Sequence, residues 1–139
     1  MANFNDATIT RLFVSQVGSP VADDAPNAPN MGNFAANIEM TAGTALQSEQ
    51  YTVTWGCTDI TLGAPAPGLI PATLNGPGTF DVAPWTKDPS GLFWVYEQHA
   101  TVNRPGPGGQ GHLYQYSATL VTTNGQIASY AVSEPFLVL

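Results

Sequence analysis

Glu97 and His99 stand two residues apart in a strand-like run, so both side chains project from one face, a carboxylate beside an imidazole. That pairing is the chemistry of general acid-base work. No serine or cysteine nucleophile sits in a recognisable motif nearby, and G-x-S-x-G, H-E-x-x-H and phosphate-cradling loops are all missing from the chain. The expectation is therefore a non-enzymatic protein.

Trp85 and Asp88 share the turn-rich loop Pro84 to Gly91 and have the chemistry of a sugar site. A flat apolar ring stacks against a pyranose, and a carboxylate accepts its hydroxyl hydrogen bonds. The plainer alternative is that Trp85 caps one end of the fold. Asp23 and Asp24, with Asn27, Asn30 and Asn33 close by, offer the hard oxygen ligands that calcium prefers, although EF-hand spacing is absent. Turn formation explains Asp and Asn beside proline equally well. No cofactor is expected, with calcium at Asp23 and Asp24 the alternative. His112 follows a glycine-rich stretch and reads as a solvated strand-start residue. Cys57 is the single cysteine, in phase with Tyr51, Val53 and Trp55, and reads as a small buried hydrophobe.

Three cationic side chains, Arg11, Lys87 and Arg104, stand against ten acidic ones for a net charge of −7. So few cations cannot supply the run of phosphate contacts on which nucleic-acid binding depends, and an anionic leaflet would repel the chain. Nowhere do 18 apolar residues run together, and the opening residues lack the basic and apolar regions of a signal peptide. The expectation is a cytoplasmic product without membrane insertion, retained in inclusions or exported by a non-classical route.

The elements that carry these residues read as strands. Phe34, Ala36, Ile38 and Met40 alternate with Asn37, Glu39 and Thr41, and Tyr51, Val53, Trp55 and Cys57 alternate with Thr52, Thr54 and Thr58. Period-two alternation of this kind marks half-buried antiparallel strands. Ala45-Leu46 reads as a single helical turn between them. Ala7 to Val17 has apolar residues on both parities, which predicts a strand that changes face midway, with Arg11 near the change. Gly18 to Asn33 is a long loop, Ile60 to Gly78 a proline-rich excursion, and Thr79 to Val82 a short strand. Leu92 to Val102 is a strand carrying Glu97 and His99. His112 to Leu139 forms a hairpin turning at Asn124-Gly125, the strongest short-range hairpin signal. Pro135 removes a ladder donor, so the return strand should be at an edge or bulged there. Seven or eight strands with long Pro/Gly-rich loops, no amphipathic helix and no repeat predict one all-β domain over residues 1–139. Its architecture is a two-sheet antiparallel β-sandwich, immunoglobulin-like or jelly-roll-like.

The run Tyr114 to Leu139, with its Asn-Gly turn and closing Glu134-Pro135-Phe136-Leu137-Val138, resembles the end of the bacterial inclusion-body proteins typified by PixA and AidA. The Pro/Asn-rich loop near Asn27 to Asn33, the strand ending Ile38 to Gly43 and the tryptophan strand at Trp55 fall in that family's order. The resemblance implies a β-sandwich that self-associates as a homo-oligomer and accumulates in inclusions, and it implies no catalytic residues. A carbohydrate-binding module with a glycan ligand around Trp85, Asp88, Glu97 and His99, helped by calcium, is the alternative from a different class.

Overall fold

The computed structural model describes residues 6–46, 48–71, 78–122 and 128–139. The chain is all-β, with two antiparallel sheets packed face to face. Its strands are β1 (Ala7–Ser15), β2 (Phe34–Gly43), β3 (Gln50–Asp59), β4 (Ala64–Pro65), β5 (Gly78–Thr79), β6 (Thr86–Lys87), β7 (Phe93–Val102), β8 (His112–Thr122), β9 (Ala128–Val132) and β10 (Phe136–Val138). One sheet has the order β1-β2-β7-β6. The other is built on the long β3-β8 pair, flanked by β4 and β5 on the β3 side and by β9 and β10 on β8. Among the described residues no helix is long and apolar enough to cross a membrane.

Alternation decides which face each strand buries. β2 places Phe34, Ala36, Ile38, Met40 and Ala42 in the core, and β3 and β8 answer with Tyr51, Val53, Trp55, Cys57, Tyr114, Tyr116, Ala118 and Leu120. Aromatic pairs carry much of this contact: Tyr116 stacks on Phe136 with ring centroids 5.3 Å apart, and Trp55 meets Tyr116 edge-on at 5.5 Å. The two apolar parities of β1 are resolved by a register shift between Ile9 and Arg11. One extra residue swaps the face, so Ala7 and Ile9 before it and Leu12 and Val14 after it all reach the core. The expected change of face at Arg11 is therefore a β-bulge.

β9 and β10 both lie along one edge of β8, separated by Ser133 to Pro135. Ser133 bridges the gap, its N–H donating to Tyr116 O (2.9 Å) and its Oγ accepting from Tyr116 N (3.0 Å). Pro135 thus falls where the ladder is interrupted at an edge, as its missing N–H requires. The Asn124-Gly125 turn lies outside the described residues, while the strands on either side pair as a hairpin should. Thr79 to Val82 is not a continuous strand. Only Gly78 and Thr79 pair, with β3, and the chain then turns so that Phe80 drops fully into the core.

The long loop between β1 and β2 is ordered by its polar residues. Asn27 is 3% exposed and reads the backbone of Leu139 from both sides: Nδ2 donates to Leu139 O (2.8 Å) and Oδ1 accepts from Leu139 N (3.0 Å). Leu137 N donates to Asp24 O (2.7 Å), so the loop of one sheet straps down the last strand of the other. Tyr114 Oη donates to Gly109 O five residues upstream, which pins the Pro/Gly-rich loop before β8. This is the tyrosine-corner device of β-sandwiches.

Candidate functional site

Trp85 is 3% exposed, held among Phe80 (4.9 Å between ring centroids), Tyr51 (5.5 Å) and Tyr96 (5.5 Å). Its faces are occupied by these rings, so it closes the core and offers no stacking surface to a sugar. Burial wins because the turn from Phe80 to Trp85 carries both rings into the gap between β3 and β7. Asp88 is half-buried three residues further along. It organises the turn into β7, accepting from Ser90 Oγ (2.7 Å), and this bond, opposed by partial burial, holds its carboxyl below the usual range.

Glu97 and His99 do come together on the outer face of the four-stranded sheet, with His99 Nε2 3.6 Å from Glu97 Oε2. A partner unseen from the sequence orients the ring: Asn37, on the neighbouring β2, places Oδ1 2.7 Å from His99 Nδ1. The amide's orientation follows from its other contacts. Asn37 Nδ2 donates to Phe13 O (3.3 Å) and Ser15 Oγ (3.0 Å), leaving Oδ1 as the atom facing His99. Nδ1 therefore carries the proton, and Nε2 is the atom turned toward Glu97. Asn37 is 1% exposed although it points outward, because Gly18, Ser19 and Pro20 fold over it and wall a cleft of about 370 Å³. Glu97, His99, Asn37 and Ser15 form one chain of polar contacts.

Asp23 and Asp24 serve the loop. Asp23 Oδ1 accepts from Ala25 N (3.0 Å) in a tight side-chain turn, Oδ2 meets Gln16 Nε2 at 3.5 Å, and the backbone of Asp24 straps β10. Among the described residues no three His, Cys, Asp or Glu side chains converge as a metal site.

His112 opens β8 as expected but is not a solvated side chain. Its ring is one-fifth exposed, and Nδ1 lies 2.7 Å from Oδ2 of the buried Asp59. Burial disfavours the Asp59 carboxylate, but the bond from His112, joined by Leu62 N on Oδ1 (3.0 Å), outweighs it and holds the carboxyl below its ordinary range. Cys57 is buried as expected, and desolvation, with Asp59 adding repulsion, pushes its thiol up to about 12. It is packed as a hydrophobe and not poised as a nucleophile.

The two outer faces differ in charge. On the four-stranded sheet Arg11, Glu39 and Glu97 form one row, with Arg11 Nη1 3.3 Å from Glu39 Oε2. On the β3-β8-β9 face the rows are Thr54-Thr119-Tyr130 and Gly56-Ser117-Val132, flanked by Thr52 beside Val121 and Thr58 beside Gln115. None of these residues is charged. Tyr130 and Val132 are 69% and 51% exposed. Gly56 keeps the centre flat, since a Cβ there would lie 2.6 Å from Ser117 Oγ. The sequence marks this face only as alternate threonines, and the strand order that joins them is invisible from it. In comparisons with known proteins the chain matches no family model, no curated protein and no solved structure.

Proposed function

We propose that this protein is a non-enzymatic β-sandwich whose activity is self-association, with assembly of the inclusion-body type as its outcome. The uncharged outer face of β3, β8 and β9 carries the reading. Burying a charged side chain at a contact costs several kcal/mol unless it is paired, whereas hydroxyls and apolar groups shed water at far lower cost. The cores of protein interfaces are accordingly depleted of charge and enriched in aromatic residues such as Tyr130. A strand face free of charge, in a chain with ten acidic residues, leaves one broad surface that two copies can share. The likeness of the segment Glu134 to Val138 to inclusion-body proteins supports the same reading.

Net charge works against association at long range and is screened within roughly 8 Å at physiological salt. Assembly size, read by light scattering, should grow from low to moderate ionic strength. Thr54→Glu, which sets a carboxylate in the middle of the face, should melt with the wild type and assemble poorly. A wild type that stays monomeric throughout the salt range and up to high concentration would overturn the proposal. So would a Thr54→Glu variant that assembles unchanged.

A further inference from the structure

The edges of the two sheets are not equally protected. β1 lies against β9, where Ile9 N donates to Ser129 Oγ (3.0 Å). β10 is strapped by Asp24 and Asn27, and β3 is met at both ends by β4 and β5. Among the described residues, β7 pairs on its outer side with β6 at Trp94 and Val95 only, followed by a bond from Asp88 N to Phe93 O (3.0 Å).

That last bond sets the direction of every backbone group on β7. The N–H and C=O of one residue point to the same side of a strand, and successive residues alternate. Phe93 points away from β2, and the β2-β7 register runs unbroken from Phe93 to Val102. Glu97, His99 and Thr101 therefore aim their N–H and C=O groups away from β2 as well. Among the described residues no backbone group meets them, and all three side chains are exposed. The edge has no proline and no bulge, two of the devices by which strands avoid pairing with other chains.

We propose that β7 pairs along this edge with β7 of a second copy, antiparallel about a two-fold axis at His99, joining two four-stranded sheets into one. A strand paired with itself in this way is self-complementary: Glu97 lies opposite the partner's Thr101, and His99 opposite the partner's His99, each pair exchanging both N–H···O bonds. Sliding the pairing by one step toward Val95 runs into Thr86, which already occupies that position. The two Glu97 carboxylates do not face one another in this register. Each lies diagonally beside the partner's His99, within reach across neighbouring strands. The self-complementary run of outward backbone groups, and the imidazole rather than a further carboxylate brought beside each Glu97, favour a second copy over an acidic peptide. The inference rests on the self-association reading and deepens it. A contact through the uncharged face and a second through this edge have different axes, and two such contacts propagate without closing.

The test compares wild type, Thr101→Pro and Thr54→Glu by light scattering, together with hydrogen exchange of the wild type in dilute and assembled states. Thr101→Pro removes an outward N–H and spares the ladder to β2. Wild type should grow beyond dimers, each single variant should stop at a dimer, and the double variant should be monomeric. The amides of Glu97, His99 and Thr101 should exchange roughly tenfold or more slowly in the assembly than in dilute solution. If Thr101→Pro misfolds, this exchange measurement decides. Unchanged exchange at these amides, or a folded Thr101→Pro that grows like the wild type, overturns the edge contact and leaves the face contact standing. A wild type that never associates overturns both.

Discussion

Replacing Trp85 by alanine separates a core role from a ligand-binding one, and the structure sets the size of the effect. The indole is 3% exposed, and burying a ring of its size removes on the order of 200 Å² from water, about 5 kcal/mol at 25 cal/mol/Å². Its contacts with Phe80, Tyr51 and Tyr96 each add about 0.5–1 kcal/mol. Its Nε1 has no hydrogen-bond partner among the described residues, and an unsatisfied buried donor costs about 1–3 kcal/mol that truncation recovers. These terms leave about 4–7 kcal/mol, and because alanine keeps part of the buried area the loss for Trp85→Ala should fall toward the roughly 3–5 kcal/mol of large aromatic truncations in cores. Trp85→Phe keeps a ring and drops the orphaned N–H, so it should cost about 1–2 kcal/mol. Urea and thermal unfolding followed by far-ultraviolet circular dichroism read both, with Trp85→Ala lowering the melting temperature by roughly 10–15 °C. If Trp85→Ala unfolds within about 1 kcal/mol of the wild type, the ring is not packed as described, and an exposed binding role returns.

Asn27→Ala removes both hydrogen bonds to Leu139 and should cost about 1–3 kcal/mol, with faster hydrogen exchange in Phe136 to Val138 as the local signature. Acid should weaken the fold through Asp59: its folded carboxyl lies below the usual value of 3.8, so its stabilisation is present above that pH and is lost as pH falls further. Asp59→Asn should flatten this limb of a pH-stability curve. Alkali acts through Cys57. The thiol stays neutral in the fold up to about 12 while the unfolded chain ionises from about 9, so stability falls across that interval, and Cys57→Ala should remove the slope. Gly56→Ala puts a Cβ 2.6 Å from Ser117 Oγ and should cost about 1–2 kcal/mol, which the double variant with Ser117→Ala recovers in equilibrium unfolding.

Much of the sandwich is legible in the sequence because alternation is a local property. The expected strands at Phe34 and Tyr51 appear as β2 and β3 with the same residues inward. The mixed parity of the first run announces the bulge at Ile9 and Arg11. Pro135 announces the gap between β9 and β10. What the sequence hides is pairing between distant strands. Asn37 and His99 are 62 residues apart and Asp59 and His112 are 53 apart, so no spacing rule joins them. Trp85 shows the same limit from the other side. A tryptophan in a proline-rich turn has the same local signature whether it faces a ligand or a core, and only the distant rings of Tyr51 and Tyr96 distinguish the two. Glu97 and His99 are legible as neighbours on one strand, while the buried Asn37 amide that meets His99 is not.

The placement of charge ties these observations together. Loops carry most of the acidic side chains, where water solvates them and their repulsion acts between whole molecules over distances that salt screens. On the strands, Glu39 and Glu97 face each other across β2 and β7, and Arg11 sits within 3.3 Å of the first of them. The second is left beside His99 on the outer strand β7. A lone carboxylate on an edge strand guards against indiscriminate pairing with acidic or apolar segments, yet it tolerates a partner that brings an imidazole to its side. The threonine face carries no such guard. In the proposed assembly its specificity would come from shape, through the flat centre at Gly56 and the exposed Tyr130 and Val132 beside it. In the proposed assembly, salt governs how readily copies approach, while these two local surfaces govern whether they stay together.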